Sequence, residues 1–294
     1  MKVAIYGKYY LNSTEPIIND IFVFLSNNNV EMIIESSFLE ILHEKEIIQN
    51  QYNTFSSHTE LDSSFDMLIS IGGDGTILRA ATLVRNSGIP ILGINAGRLG
   101  FLATVQKENI DELMQFIIDR NFTVSARALI SLESSTEIPE IENLNFAMNE
   151  ITVSRKDTTS MITIETYLND EYLNSYWADG LIISTPTGST GYSLSCGGPI
   201  LTPDVESFVI TPIAPHNLNA RPLVIPDNVE IKLKVSGREE QYLVSLDSRI
   251  ASIDNDTVLT LKKTSFKINM VELPGKSFLK TLRTKLLWGE DKRN

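Results

Sequence analysis

The stretch "ISIGGDGTILRA", Ile69 to Ala80, ends an apolar run at three glycines that surround one acid, Asp74. The apolar run Met67–Ile71 predicts a buried strand, and a segment with helical periodicity, Gly75–Arg85, follows the glycines. Glycines allow a positive φ and let the backbone approach a ligand closely. A helix that begins after such a turn presents free N–H groups and a favourable dipole to an anion such as phosphate.

Two roles are open for Asp74. Its charge repels phosphate, so in a functional site the carboxylate would hold a metal ion or accept a proton. The alternative is a strand-to-helix turn in which Asp74 serves only as the helix cap. The residues of this stretch alone do not decide between them.

The composition predicts a soluble globular protein. The chain has 294 residues, 42% of them hydrophobic and 21% charged, and this length corresponds to about two domains. The net charge of −12 argues against broad attraction to nucleic acid or to anionic membranes, so phosphate groups would have to be bound locally. The single cysteine, Cys196, excludes an intrachain disulfide and a cysteine-based zinc site, and it fits a cytoplasmic location.

Residues 1–122 alternate short apolar runs with helical segments, which predicts an α/β domain with a parallel sheet. The C-terminal segment 275–294 regains helical periodicity and is expected to complete this domain. A polar stretch, residues 44–64, predicts an exposed, mobile loop. The predicted strands are Val3–Gly7, Val30–Ser36, Met67–Ile71 and Ile91–Ile94, and the predicted helices are Glu15–Ser26, Gly75–Arg85 and Ile110–Arg120.

Residues 123–274 alternate apolar and polar side chains with a period of two, which predicts a β-rich domain. Within it, "LNDEYLN" predicts a hairpin whose turn is formed by Asn169 and Asp170.

Each of three familiar motifs lacks one of its required glycines. The run Gly73–Leu78 begins like a dinucleotide fingerprint, but Leu78 replaces its third glycine. The run Gly275–Ser277 resembles the end of a P-loop, but the required upstream glycine is Met270. The segment "GYSLS" lacks the last glycine of an esterase elbow, where Ser195 stands.

A second glycine-rich cluster, "DGLIISTPTGSTGYSLSCGGPI", runs from Asp179 to Ile200. Its hydroxyl and N–H groups suit phosphate or ribose oxygens, although a plain Ser/Thr-rich loop is the alternative. Asn149 and Glu150 open a β run, where they could hold ribose hydroxyls or an adenine edge or could simply be solvated. No spacing of His, Asp and Glu predicts a metal site built from protein ligands alone.

Taken together, these stretches resemble the NAD kinase family, which phosphorylates the 2′-hydroxyl on the adenosine ribose of NAD to give NADP. The resemblance covers most of the chain. It rests on "GGDGT" (72–76), "GINAGRLGFLA" (93–103), "NE" (149–150), "ADGLIISTPTGSTGYSLSCGGPI" (178–200) and "TPIAPHNLNARPLV" (211–224). The first motif alone is shared with diacylglycerol-type lipid kinases, and similar turns occur in phosphofructokinases.

The resemblance implies a fold, substrates and an assembly. The N-terminal domain would be α/β, Rossmann-like or phosphofructokinase-like, and the C-terminal domain an all-β, sandwich-like NAD-binding domain. The substrates would be NAD and ATP with a divalent cation, Mg²⁺. The protein would be a homodimer or homotetramer, without nucleic-acid or membrane partners.

The resemblance also implies site residues. Asp74 would be the catalytic acid, which accepts the proton of the 2′-hydroxyl. Arg249 occupies a position where the family often has glutamine, and Gly191 and Cys196 replace a commoner alanine. The residues expected to bind substrate are Gly72, Gly73, Gly75, Thr76, Arg79, Phe101, Asn149, Glu150, Asp179, Thr187, Thr190, Gly191, Tyr192, Ser193, Leu194, Ser195 and Arg249.

Two alternatives accompany this reading. A diacylglycerol-type lipid kinase would keep "GGDGT" but would need an apolar cleft and a basic or amphipathic membrane face, neither of which the sequence shows. A non-catalytic dinucleotide sensor would keep the binding residues, but the intact Asp74 argues against it.

Overall fold

The structure, a computed structural model, describes residues 1–9, 14–97, 99–103, 105, 110–157 and 160–288. The chain divides into two compact units. The first unit comprises residues 1–126 and 268–294, and the second comprises residues 127–267.

The first unit consists of strands and helices that alternate along the chain. The strands are β1 (Lys2–Gly7), β2 (Glu31–Glu35), β3 (Asn53–Phe55), β4 (Met67–Ile71), β5 (Ile91–Ile94), β6 (Thr123–Arg127) and β19 (Ile268–Glu272). The helices are α1 (Glu15–Asn27), α2 (Ser36–Glu44), α3 (Asp74–Val84), α4 (Ile110–Ile118) and α6 (Phe278–Leu286).

The second unit consists mainly of strands. They are β7 (Ile130–Ser134), β8 (Phe146–Ala147), β9 (Glu150–Arg155), β10 (Ile162–Leu168), β11 (Glu171–Ala178), β12 (Gly180–Ser184), β13 (Ser207–Ile213), β14 (Leu223–Pro226), β15 (Ile231–Ser236), β16 (Gln241–Leu246), β17 (Arg249–Asp254) and β18 (Val258–Lys263), with one short helix, α5 (Tyr192–Ser195).

The sheet of the first unit has the order β3-β2-β1-β4-β5-β19-β6. The pairs from β3 through β19 are parallel. The chain adds β2 and β3 on one side of β1 and then returns to place β4 and β5 on the other. Open α/β sheets bind ligands outside the carboxyl ends of the strands at such a reversal of strand order. The turn after β4, which contains Asp74, lies at this reversal.

Burial explains these elements. Every residue of β4 and β5 is buried, as expected for central strands of a parallel sheet covered on both faces. Helix α1 buries Ile18, Ile21 and Leu25, whose spacing places them on one helix face against the sheet. The α/β prediction for this part of the chain is confirmed.

The second unit is a sandwich of two six-stranded sheets, with the orders β11-β10-β15-β18-β7-β8 and β14-β13-β12-β9-β16-β17. Alternate residues of β15 and β16 are buried, and inward-facing side chains of both sheets form one core. Asn169 and Asp170 join β10 to β11 with φ angles of 49° and 67°, the positive values that a two-residue hairpin turn requires. The predicted hairpin and sandwich-like architecture are therefore confirmed.

The prediction of a loop over residues 44–64 is wrong for part of this stretch. Strand β3 pairs with β2, and Phe55 at its end is only 1% exposed. Residues His58–Glu60 form a 3₁₀ turn. The polar composition of this stretch does not predict the strand, because its pairing with β2 and the burial of the Phe55 ring depend on contacts distant in sequence.

Strand β19 also lies apart from the residues that precede it in sequence. The alternating pattern predicts that residues 123–274 form the second domain, whereas β19 is hydrogen-bonded in the sheet of the first unit, where Met270 pairs with Ile91. It lies between β5 and β6.

We expect the second unit to fold alone and residues 1–126 to fail to do so. Residues 127–267 contain both sheets of the sandwich, whereas residues 1–126 lack β19, which fills the position between β5 and β6. Urea titrations followed by circular dichroism should show a cooperative transition for fragment 127–267 only. Joining residues 1–126 to 268–288 through a Gly/Ser linker should restore cooperativity. Cooperative unfolding of fragment 1–126 by itself would contradict this expectation.

Candidate active site

The turn between β4 and α3 requires glycine at its first position. Gly72 has a φ of 154°, and a Cβ there would lie 2.3 Å from Thr76 Oγ1. Its N–H donates to the carbonyl of Ile94 at 2.9 Å, which fixes the turn to the end of β5. Gly73 is the N-cap residue of α3, and Asp74 is the first residue of the helix. Asp74 is therefore not the cap residue that the alternative interpretation required.

The Asp74 carboxylate binds the backbone of a remote segment. Its Oδ2 accepts the N–H of Phe101 at 2.8 Å, and its Oδ1 accepts the N–H groups of Leu102 and Ala103, each at 3.0 Å. A Cβ on Gly100 would lie 1.9 Å from Asp74 Oδ1. The carboxylate and residues 100–103 are thus packed together so closely that only glycine fits at position 100.

These bonds leave Asp74 with one acceptor position. An ionised carboxylate has about four lone-pair sites, and the three N–H donors use three of them. Oδ2 receives one donor and Oδ1 receives two, so the open position is on Oδ2. Asp74 as a whole is only partly buried.

The rest of the glycine turn offers space and a hydroxyl group. A Cβ on Gly73 or Gly75 would meet no heavy atom within 4 Å, so a ligand can approach the backbone here. Thr76 is 4% exposed, and its Oγ1 is buried without a hydrogen-bond partner. Arg79 is exposed on α3, about one turn after Thr76. The structure thus brings these predicted residues together with Asp74 around one helix N-terminus.

Phe101 connects this site to the C-terminal helix α6. The ammonium of Lys285 lies 4.5 Å from the centroid of the Phe101 ring, within the range of a cation–π interaction. Sequence reasoning did not select Lys285. An exposed lysine on an amphipathic helix does not by itself indicate a functional role. The role becomes visible only when the fold places this helix beside Phe101, whose N–H binds Asp74.

In the second unit, the glycine-rich cluster packs on the backbone of Asn149. The buried strand β12 leads into the 3₁₀ turn Thr187–Thr190. A Cβ on Gly188 would lie 2.0 Å from the Asn149 carbonyl oxygen. Thr185 adds two bonds, from its Oγ1 to the Met148 carbonyl at 2.6 Å and from its N–H to the Asn149 carbonyl at 2.9 Å. Close packing and hydrogen bonds therefore fix the conformation of the cluster, which is not a plain surface loop.

Asp247 holds the segment that contains Asn149 and Glu150. Its carboxylate accepts the N–H groups of Met148 at 3.0 Å, Asn149 at 2.8 Å and Glu150 at 3.2 Å. Asn149 Oδ1 and Glu150 Oε2 are buried and have no hydrogen-bond partner. Two polar atoms at the start of β9 are therefore available to a ligand.

Burial dominates the electrostatics of this acidic pair. Burial and the charge of Asp247 raise the pKa of Glu150 to about 8, against a smaller opposing effect of the Tyr192 N–H. Burial also raises the pKa of Asp247, while its three N–H donors and Arg249 act in the opposite direction. The pair therefore retains a proton more readily than isolated carboxyl groups would.

The other predicted residues of the cluster differ in accessibility. The hydroxyl of Ser193 is buried and is bonded to Thr211 Oγ1 at 2.8 Å, and Thr190 Oγ1 donates to the Thr187 carbonyl at 3.2 Å. Tyr192 and Ser195 are exposed, and Leu194 is half-buried. The hydroxyls of Ser193 and Thr190 are therefore both engaged by protein partners.

Asp179 and Arg249 are both engaged by neighbours. Asp179 forms an ion pair with Arg155 at 3.1 Å, and its charge raises the pKa of Tyr192, though less than burial does. The Arg249 guanidinium donates to the carbonyls of Leu144 and Phe146. This places Arg249 as a support for the backbone close to Asn149.

Sequence reasoning did not select Asp247. The segment "LDSR" indicates only a turn between two alternating runs, and Asp247 has the positive φ of such a turn, 52°. Its three bonds join residues about 100 positions apart, and no local pattern reveals them.

Two classes of feature are absent from the described ranges. No group of three or more His, Cys, Asp and Glu side chains there could hold a metal ion. None of the helices in those same ranges has the length and apolar character needed to cross a membrane.

Comparison with known proteins identifies the family. Residues 3–122 match the family model for the ATP-NAD kinase N-terminal domain, and residues 148–273 match that for the C-terminal domain. The chain is 72% identical over 294 residues to an NAD kinase of Flavobacterium johnsoniae and 41% identical over 293 residues to one of Bacteroides fragilis. Each of these alignments covers all of both proteins.

Solved structures agree with this match. A crystal structure of yeast NADH kinase complexed with NADH has a TM-score of 0.86 at 23% identity, over 99% of this chain and 88% of that one. An NAD kinase from Archaeoglobus fulgidus in complex with ATP has a TM-score of 0.75 at 26% identity, over 98% of this chain and 99% of that one. With two family models that span most of its length, the chain belongs to the NAD kinase family and is a kinase, an enzyme of the phosphotransferase class.

Proposed function

We propose that this chain transfers the γ-phosphoryl group of ATP to the 2′-hydroxyl on the adenosine ribose of NAD, which gives NADP and ADP. The hydroxyl oxygen forms a bond to the γ-phosphorus, and the bond from that phosphorus to the β,γ-bridging oxygen breaks. The hydroxyl proton passes to Asp74 and then to solvent. Membership of the NAD kinase family supports this reaction.

The observation that carries the proposal is the geometry of Asp74. Its carboxylate lies at the reversal of strand order, where α/β sheets bind ligands, and is fixed by three N–H groups. The free acceptor position on Oδ2 can take the proton of a ribose hydroxyl. A positioned base of this kind accelerates such a reaction by roughly 10²–10⁴-fold.

We propose that the ATP triphosphate lies along the turn Gly72–Thr76 and that Mg²⁺ is held mainly by phosphate oxygens. The N-terminus of α3 supplies N–H groups and a favourable dipole, and Gly73 and Gly75 leave space beside the backbone. Mg²⁺ is commonly bound by one or two carboxylates together with substrate phosphates. Because the one open acceptor position of Asp74 takes the hydroxyl proton, phosphate oxygens would supply most of the ligands of this cation, which would neutralise charge on the phosphoryl oxygens.

The second unit is proposed to bind the dinucleotide. Asn149 and Glu150 would contact base and ribose through Oδ1 and Oε2, the two buried atoms that lack partners. Asp179 would lie toward the nicotinamide end, and the segment 190–195 would contact the adenosine. A homodimer or homotetramer stays a prediction from the resemblance, and a cytoplasmic location stays a prediction from the single cysteine.

The reaction is tested by incubating purified protein with ATP, Mg²⁺ and NAD, and by measuring NADP with an NADP-specific dehydrogenase. We expect NADP to accumulate in proportion to enzyme and to require both ATP and Mg²⁺. Turnover of diacylglycerol instead of NAD would favour the lipid kinase. Binding of NAD without product would favour the non-catalytic sensor.

Replacement of Asp74 tests proton transfer. Asp74→Asn should lower kcat by at least ~100-fold and leave the Kd of NAD within about threefold, because the proposed contacts to the base lie elsewhere. In this variant, the side-chain amide would place its NH₂ group against a backbone N–H that the carboxylate accepts in the wild type. One hydrogen bond is lost, so we expect the free energy of unfolding to fall by about 1–3 kcal/mol. The control is Asp111→Asn, at an exposed position, which should change neither kcat nor the free energy of unfolding. A kcat within tenfold of wild type would remove Asp74 from proton transfer.

Replacement of Gly100 tests the position of the same carboxylate. In Gly100→Ala the new Cβ would lie 1.9 Å from Asp74 Oδ1, so the carboxylate has to move, and we expect kcat to fall by about 100-fold. Gly97→Ala is the matched control, because the nearest atom to its Cβ, Asn95 Oδ1, is 4.0 Å away. Steady-state kinetics of both variants decide the matter. Equal kcat values for the two would show that the position of the carboxylate does not limit turnover.

A further inference from the structure

Glu150 and Asp247 form a buried carboxyl pair whose two members differ in their partners. Burial raises the pKa of Asp247, but its carboxylate accepts three backbone N–H groups, and these and the charge of Arg249 oppose the increase. Glu150 receives an N–H from Tyr192, but its Oε2 is buried without a partner. Donors stabilise the ionised form of the group that accepts them. The negative charge therefore belongs on Asp247 and the proton on Glu150.

Glu150 Oε2 and the Asn149 side chain both lie next to Gly191. A Cβ on Gly191 would lie 3.1 Å from Glu150 Oε2 and 3.5 Å from Asn149 Nδ2. Because glycine has no Cβ, both polar side chains border the same space. A buried polar atom without a partner costs free energy, and a ligand atom that pairs with it recovers that cost.

We propose that Glu150 is protonated when the dinucleotide binds, and that it donates a hydrogen bond to an acceptor atom of the dinucleotide, a ring nitrogen of the base or a ribose oxygen. This inference rests on the proposed binding of NAD by Asn149 and Glu150. It adds the direction of the hydrogen bond: Glu150 donates, whereas an ionised carboxylate could only accept.

Several titratable and charged groups lie near Glu150 and bear on its titration between pH 7 and 9. The groups that act on it are Asp247 and Tyr192, and Arg249 acts on Asp247. Asp179 and Cys196 act in turn on Tyr192. Burial raises the pKa of the Tyr192 hydroxyl and of the Cys196 thiol above their ordinary values. Burial and the charge of Asp247 place the pKa of Glu150 at about 8, inside this window.

The test compares Glu150→Gln with wild type in NAD binding without ATP, by calorimetry at pH 7 and pH 9. Glutamine keeps a donor at the same position but does not titrate. The wild-type Kd should rise roughly tenfold between the two pH values, as expected one unit above a pKa of 8. The Kd of Glu150→Gln should match wild type at pH 7 within about threefold and should not change with pH.

Two control variants define the result. Glu171→Gln, at an exposed position on β11, should behave like wild type, and Glu150→Ala should bind weakly at both pH values because it has no donor. A tenfold loss of affinity in Glu150→Gln at pH 7 would overturn the proposal, because it would show that the carboxylate acts as an acceptor. A wild-type Kd that is equal at pH 7 and pH 9 would also overturn it.

A second measurement needs neither ligand nor activity. A raised pKa means that the folded protein binds more protons than the unfolded chain between the unfolded pKa, about 4.5, and about 8. The free energy of unfolding of wild type, relative to Glu150→Gln, should therefore fall as pH rises through this window and level off above it. A difference that does not vary with pH would overturn the proposal. If the protein bound no NAD, the proposed function would fail while this measurement still reported on the Glu150 proton.

Discussion

The carboxylate of Asp74, bound to three consecutive backbone N–H groups, is the interaction on which the candidate active site depends. It joins the end of β4 to residues 101–103, about 28 positions along the chain. Hydrogen bonds to a charged group contribute about 1.5–3 kcal/mol each. The same bonds fix the orientation of the carboxylate. They therefore hold residues 101–103 in place and position the acid at the same time. Glycine is required at 72, where a Cβ would meet the Thr76 side chain, and at 100, where it would meet the Asp74 carboxylate.

The second unit uses the same arrangement with a different electrostatic result. Asp247 also accepts three consecutive N–H groups, those of residues 148–150, but it is buried and has Glu150 as a neighbour. Burial therefore raises the pKa of both carboxyl groups. Asp74 is partly exposed and retains an open acceptor position. The same arrangement thus leaves an open acceptor position on a partly exposed carboxylate in one unit and supports a buried carboxyl pair in the other.

The local charges also explain how a protein of net charge −12 can bind nucleotides. The general field disfavours anions, so attraction has to come from backbone N–H groups and from a few cations. The N-terminus of α3 and the cluster after β12 supply such N–H groups. Lys285 adds a cation beside Phe101, whereas Arg249 is occupied by the carbonyls of Leu144 and Phe146.

The sequence by itself determined the elements and the motifs. Strands β4 and β5 match their predicted bounds because burial on both faces leaves a continuous apolar run, and the Asn169–Asp170 turn follows from residues that tolerate positive φ. Tertiary structure alone decided the place of β3 and β19, the partners of the Asp74 carboxylate and the role of Asp247. Each of these depends on contacts between residues distant in the chain, and periodicity and composition report only on near neighbours.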